Sequence, residues 1–195
     1  MRFVDADGKD FPLLARLKER NAESLFGAIA TELVKDCINF INSTTFLEDC
    51  LPGAGPIYGP KLNEAGLEDA AFGMRMAKEV SRLDIGQAVV VREGTVLAVE
   101  AFEGTNKCVQ RGGELGKGKH VKLVKVSKPD QDLRFDVPVV GPHTIRACQE
   151  AGVSAVIIEA HQTLLLGMEE VKGLCEQHRI SLHAVDAGDS GAGAC

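Results

Sequence analysis

The chain predicts an α/β fold with a mixed sheet: a β-hairpin followed by βαβ units, preceded by a short helical stretch. Three observations carry this. An amphipathic run at helical spacing, Leu67, Ala70, Ala71, Met74, Ala77 and Val80, is followed by two strand-like runs, residues 87–92 and 95–100, separated only by Glu93-Gly94. From residue 121 onward strand-like and helix-like patterns alternate, as parallel strands joined by crossover helices require. Apolar residues make up 45% of the 195, enough for one domain plus an appendage but tight for two full domains.

Taken in order, residues 1–10 are polar and show no regular pattern. Leu13, Leu14 and Leu17 after Pro12 suit a short helix over 11–20. Asn21 can cap a second helix, whose face repeats through Leu25, Ile29, Leu33 and Cys37. Residues 38–41 read as a short strand. Pro52, Gly53, Gly55, Pro56, Gly59 and Pro60 crowd the stretch 51–60, which reads as an irregular linker. The amphipathic helix covers 67–82, with Met74 and Met76 as packing residues. The hairpin comes next, and Glu103-Gly104-Thr105 then opens a helix over about 106–112. That helix start is either a plain Thr cap or an anion or metal site, where free backbone donors and the helix dipole favour negative charge. Gly113-Glu-Leu-Gly-Lys-Gly-Lys-His120 fits G-x-x-x-x-G-K, but has His where a phosphate loop needs Ser or Thr and runs into a strand pattern, 121–126, instead of a helix. It reads as a mobile glycine-rich loop, a lid candidate, and not as a nucleotide cradle. Residues 137–140, a helix over 143–151 and a strand over 153–158 make a βαβ unit. A helix over 168–177 and a strand over 180–185 repeat the theme. His161, His178 and His183 read as surface or packing residues, and the Gly/Ala/Ser-rich tail 187–195 reads as disordered.

Composition excludes several classes. The formal net charge is −6 with a pI near 5.4, and no Lys/Arg block is long enough to track a phosphate backbone, so nucleic acid is not an expected partner. The six cysteines form no C-x-x-C pair and no regular spacing with the histidines, which favours scattered reduced thiols over a disulfide frame or a zinc site. No apolar run approaches the ~20 residues that span a bilayer, so membrane contact, if any, would be peripheral.

The chemistry-bearing stretch is residues 124–142. It places Lys125, Lys128, Asp130, Asp132, Arg134 and Asp136 between two apolar strand-like runs. This is either a solvated loop or a site in which cations hold phosphate oxygens while carboxylates hold a metal or activate water. Asp130, Asp132, Arg134 and Asp136 are spaced by two, so an extended chain would put them on one face, with the outer pair about 20 Å apart, too far for one metal ion. Pro129 and Pro138 bound the segment and each removes a ladder donor, so a bent loop is expected. Asp136 stands where this loop enters the run 137–140, at the mouth of a strand, where α/β proteins commonly place working residues.

The run Lys-Pro-Asp-Gln-Asp-Leu-Arg-Phe-Asp-Val-Pro-Val-Val-Gly-Pro142, with the upstream Asp84-Ile-Gly-Gln-Ala-Val-Val-Val and Val99-Glu-Ala-Phe-Glu-Gly-Thr105, resembles the LpxI family in order and spacing over about 67–186. Members of that family are UDP-2,3-diacylglucosamine pyrophosphatases of lipid A biosynthesis. The resemblance implies a magnesium-dependent cleavage giving UMP and a diacylated glucosamine phosphate, with the aspartate of an Arg-x-Asp-x-Pro motif essential; here that residue is Asp136. The expected metal set is Asp136 with Asp132 and Glu103. The expected substrate set is Lys125, Lys128, Arg134, Gly104, Thr105 and Gln87. The resemblance further implies a cytoplasmic homodimer, peripheral at the inner membrane. It divides the chain into the end of an N-terminal domain (1–50), a linker (51–66), a catalytic α/β domain (67–186) and a tail (187–195). The family's glycine-rich first domain, a strand with a Gly-Gly-Gly-type turn, has no counterpart here, and on this reading lipid binding would be weakened or would call on another chain. Two other readings stand beside it: a non-catalytic module that binds a nucleotide-sugar or lipid and regulates a partner, and a general pyrophosphate hydrolase acting on free nucleotides.

Overall fold

The computed structural model describes residues 22–129 and 131–186. The chain falls into two compact units. One holds the described residues up to Thr45 together with Asp132–Asp136; the other holds Phe46–Gln131 and the described residues from Val137 on. The expected helix over 11–20, the Asn21 cap and the tail lie outside the described residues.

The larger unit carries the α/β fold. It begins with a short 3-10 turn, Glu48–Cys50, and strand β1, Gly55–Tyr58. Helix α2 is Glu64–Arg82, the label α1 being kept for Ala22–Val34 of the smaller unit. Strands β2, Ala88–Arg92, and β3, Thr95–Val99, form the hairpin, followed by α3, Thr105–Leu115, and β4, Val121–Lys125. The remainder is β5 (Val139–Val140), α4 (Pro142–Glu150), β6 (Val153–Glu159), β7 (Leu164–Leu165), α5 (Met168–His178) and β8 (Ser181–Val185).

Six strands pair in the order β1-β8-β6-β4-β2-β3. The three central strands β4, β6 and β8 run parallel, while β2, β3 and β1 pair antiparallel to their neighbours. Covered on both faces, the centre is largely apolar, with an unbroken run Ala155–Ile158 in β6, while Lys122 interrupts β4 and His183 interrupts β8. Ala70, Met74 and Ala77 of α2 pack on Val89, Val91, Val124, Ala155 and Ile157 on one face. Cys108 and Val109 of α3, Ile145 and Cys148 of α4, and Val171 and Cys175 of α5 cover Val90, Leu123, Val156, Ile158 and Leu182 on the other.

Local chemistry explains the ends of these elements. The Asn63 side chain accepts the Gly66 N–H at 2.9 Å and caps α2. Glu93 and Gly94 both take positive φ, 48° and 69°, the twist a two-residue hairpin needs. The Asp69 carboxylate of α2 accepts the backbone N–H groups of both turn residues, at 2.9 and 2.8 Å, and so fixes the hairpin to the helix.

Several expectations are corrected. The helix α1 ends at Val34, and Cys37 lies beyond it with φ 61° and an exposed side chain. Residues 38–41 form no strand; Ile38 and Ile41 are exposed, and among the described residues no strand pairs with them to supply ladder bonds. The linker 51–60 contains β1, an edge strand in which Pro56 is tolerated because one side needs no donor. The expected lid starts as helix: Gly113 lies inside α3, Gly116 caps it, and Lys117, Gly118 and His120 then turn with positive φ. A side chain at Gly113 would put Cβ 2.1 Å from the Ala151 carbonyl oxygen, so the glycine serves close packing against the end of α4. The run 137–140 shrinks to β5, which pairs with β7 in a separate two-stranded sheet, so the parallel partner of β6 on that side is β4. Pro138 and Pro142 flank those two residues and deny a longer ladder.

Candidate active site

In an open α/β sheet the ends of the parallel strands collect the working residues. Here β4 and β6 end at Lys125 and Glu159, and the antiparallel hairpin brings its open end, Gln87 and Glu100, to the same edge. Glu159, with a side chain 4% exposed, closes a strand that is apolar from Ala155 to Ile158. Its carboxylate accepts the Ser127 N–H at 2.9 Å, the Ser127 hydroxyl at 2.7 Å and the Lys78 ammonium at 2.7 Å. Lys78 also donates to the Ser127 carbonyl at 3.0 Å. A buried carboxylate needs this many donors, and they come from α2 and from the residue that leaves β4. The cluster thus anchors the start of the chemistry-bearing stretch.

Beside it, Glu100 takes the Gln87 N–H at 3.2 Å and the Thr105 hydroxyl at 2.6 Å. Thr105 is therefore the first residue of α3 and not its cap; the cap position belongs to Gly104, φ 82°. The Glu103 carboxylate accepts from Arg111 at 2.5 Å and from the Ala101 N–H at 3.2 Å. Its own backbone N–H and then the Arg111 guanidinium hold its carboxyl below the usual carboxylate range. Gln87, Gly104, Thr105 and Glu103 are thus brought together around the hairpin exit. Lys125 donates to the Val139 carbonyl at 3.1 Å, and Lys128 pairs with Asp84 while its N–H donates to Gln131 at 2.8 Å.

Arg134, Asp132 and Asp136 belong to the smaller unit. The segment is a wound turn, as the flanking prolines suggested: the Phe135 and Asp136 N–H groups donate to the Asp132 carbonyl, at 3.1 and 3.4 Å. Asp132 binds Arg134 through both carboxylate oxygens, the shortest contact being 2.6 Å, and that arginine holds its carboxyl below the usual range. Asp136 follows at the end of the turn, exposed.

Among the described residues no three His, Cys, Asp or Glu side chains are grouped to hold a metal ion. Magnesium takes one or two carboxylates and completes its shell with phosphate oxygens and water, so a larger cluster is not required. The Asp132 and Glu103 carboxylates are each engaged by an arginine, and either would have to exchange it to take a metal ion. Cys108 cannot serve as a nucleophile, because burial pushes its thiol up to about 12. Lys78, Ser127, Glu159 and Glu100 were missed from sequence. A carboxylate ending the apolar run 153–158 was the available signal for Glu159.

The sequence model of the LpxI C-terminal domain matches residues 53–183, which runs from the entry to β1 into β8 and reaches every strand of the six-stranded sheet. The UDP-2,3-diacylglucosamine pyrophosphatase LpxI of Caulobacter vibrioides is similar at 35% identity over 127 residues, 62% of this chain. The match covers 45% of that relative, so the chain spans less than half of its length. With the three motifs in order and the domain match covering more than half of the chain, the chain belongs to the LpxI family.

Proposed function

We propose that the chain hydrolyses the pyrophosphate bond of UDP-2,3-diacylglucosamine, yielding UMP and 2,3-diacylglucosamine 1-phosphate for lipid A synthesis. The observation that supports this most is that the match to the LpxI C-terminal domain runs through Asp136, the exposed carboxylate of an Arg-x-Asp-x-Pro motif. Phosphoryl transfer leaves a protein mostly electrostatic work, so a carboxylate with cations around it is a sufficient kit. In this reading Lys125, Lys128 and Arg134 screen pyrophosphate charge, and Gln87, Gly104 and Thr105 shape the substrate contact at the hairpin exit. Magnesium, when bound, would neutralise phosphate oxygens. The same reading carries a homodimer, a cytoplasmic location and peripheral contact with the inner membrane; no helix among the described residues is long and apolar enough to cross a membrane.

The test is UMP release from UDP-2,3-diacylglucosamine by the purified chain, with magnesium and with EDTA. Metal-dependent release is expected, and Asp136→Ala should lower it by about 10²- to 10⁴-fold while the circular dichroism spectrum is kept. Loss of the folded spectrum in Asp136→Ala would make that residue structural. A second reading, a non-catalytic binder of the nucleotide-sugar that regulates a partner, fits the engagement of the Asp132 and Glu103 carboxylates by arginines. Tight binding of product by a folded chain that releases no UMP would put that reading first.

A further inference from the structure

The turn that carries Asp136 is held by the N-terminal segment, and the contacts are directed at the residues next to Asp136. Ser43 donates twice: its N–H to the Leu133 carbonyl at 2.9 Å and its hydroxyl to the Arg134 carbonyl at 2.8 Å. Phe135, the neighbour of Asp136, is stacked on Phe26 with ring centroids 5.7 Å apart and meets the edge of Phe40 at 5.5 Å. The Arg134 guanidinium lies 5.0 Å from the centre of the Phe135 ring on the same turn.

These contacts have little else to do. Ala30 is the one buried residue among the described side chains of the segment up to Thr45, and Phe26, Val34, Ile38, Phe40 and Ile41 remain exposed. A segment that buries so little contributes weakly to a core, yet it satisfies two consecutive carbonyls of a surface turn that water could otherwise serve. A five-residue turn on its own samples many conformations, and each ordered residue costs about 1–2 kcal/mol of backbone entropy. A working carboxylate must be held to within about 0.5 Å.

Resting on the reading of Asp136 as the working carboxylate, we propose that Ser43, Phe26 and Phe40 are positioning residues for it: a clamp that fixes the Asp132–Asp136 turn through two hydrogen bonds and an aromatic sandwich on Phe135. The stretch that sequence reading takes for the end of another domain is then part of the catalytic apparatus.

Two readouts test the clamp on the full chain. In the first, Ser43→Ala and Phe40→Leu are assayed for UMP release. The clamp lowers kcat by about ten- to a hundredfold with KM little changed, Ser43→Thr restores most of the loss by returning the hydroxyl, and Ser43→Ala adds nothing in an Asp136→Ala background. The second readout needs no substrate: amide hydrogen exchange at Phe135 and Asp136 rises in Ser43→Ala and returns toward the parent rate in Ser43→Thr, while exchange in the six-stranded sheet is unchanged. Unaltered exchange at Phe135 and Asp136 overturns the clamp whatever the activity. An Asp136→Ala chain that keeps full turnover overturns the reading of Asp136. A dead Asp136→Ala beside a fully active Ser43→Ala overturns the clamp alone.

Discussion

The pair Asp69–Lys122 shows how a single residue sets a stability term. The two side chains are 8% and 7% exposed and meet at 2.7 Å, and Asp69 also takes both turn N–H groups of the hairpin. Burial alone would raise the Asp69 carboxyl, but the Lys122 bond with the Gly94 and Glu93 N–H groups outweighs it and leaves the group below its ordinary value. A depressed carboxyl contributes stability that is complete above its unfolded pKa of about 3.9 and is lost as pH falls through the folded value. Asp69→Ala should therefore cost about 3–5 kcal/mol at pH 7, because it strands a buried ammonium and frees two backbone donors. Urea unfolding of parent and variant at pH 7 and pH 3 checks this. The gap between them should narrow at the lower pH, and an equal gap at both would show that the charge on Asp69 contributes nothing.

At the level of elements, glycines report where helices touch. Gly113 in α3 has no room for a methyl, since its Cβ would lie 2.1 Å from the Ala151 carbonyl oxygen, whereas Gly173 in α5 has nothing within 4 Å. The same substitution should then have opposite signs. Gly173→Ala gains helix propensity and raises stability by up to about 1 kcal/mol, while Gly113→Ala must move a backbone and loses about 1–3 kcal/mol. Thermal melts of the two variants decide it, and a stabilised Gly113→Ala would mean that α3 and α4 are looser than they stand. Such packing glycines are also where sequence reading strays, because Gly113–Gly118 has the composition of a loop and only the third dimension shows a helix pressed on its neighbour. Helices α2 to α5 and strands β2, β3, β4, β6 and β8 were legible because their apolar patterns are long, whereas the two-residue strands β5 and β7 are too short to leave one. The edge strand β1 was hidden by Pro56 and its glycines, which an edge position permits and a central strand would not. The bend at Asp132–Asp136 could be anticipated from Pro129 and Pro138. The Lys78–Ser127–Glu159 cluster could not, since its members are far apart in sequence and meet only through strand register and the placement of α2.

For the molecule as a whole, the described thiols divide by burial. The five described cysteines are free: Cys37 of the smaller unit is exposed, Cys50 is half-buried, and Cys108, Cys148 and Cys175 are buried under α3, α4 and α5. Burial pushes the Cys108 thiol up to about 12 and that of Cys175 to about 11, and it raises Cys148 as well, so none of the three carries a thiolate at neutral pH. Reaction needs both a thiolate and access, and the fold denies both to these three until their helices leave the sheet. In a Cys195→Ser background, which removes the cysteine outside the described residues, a disulfide reagent at pH 8 should modify Cys37 first and Cys50 more slowly. Cys108, Cys148 and Cys175 should react together, and only as denaturant passes through the unfolding transition followed by circular dichroism. If one of the three reacts ahead of the others in the native range, its helix opens as a separate piece, and the larger unit is not a single cooperative body. If all three follow the main transition while Cys37 reacts throughout, the sheet with its three helices unfolds as one.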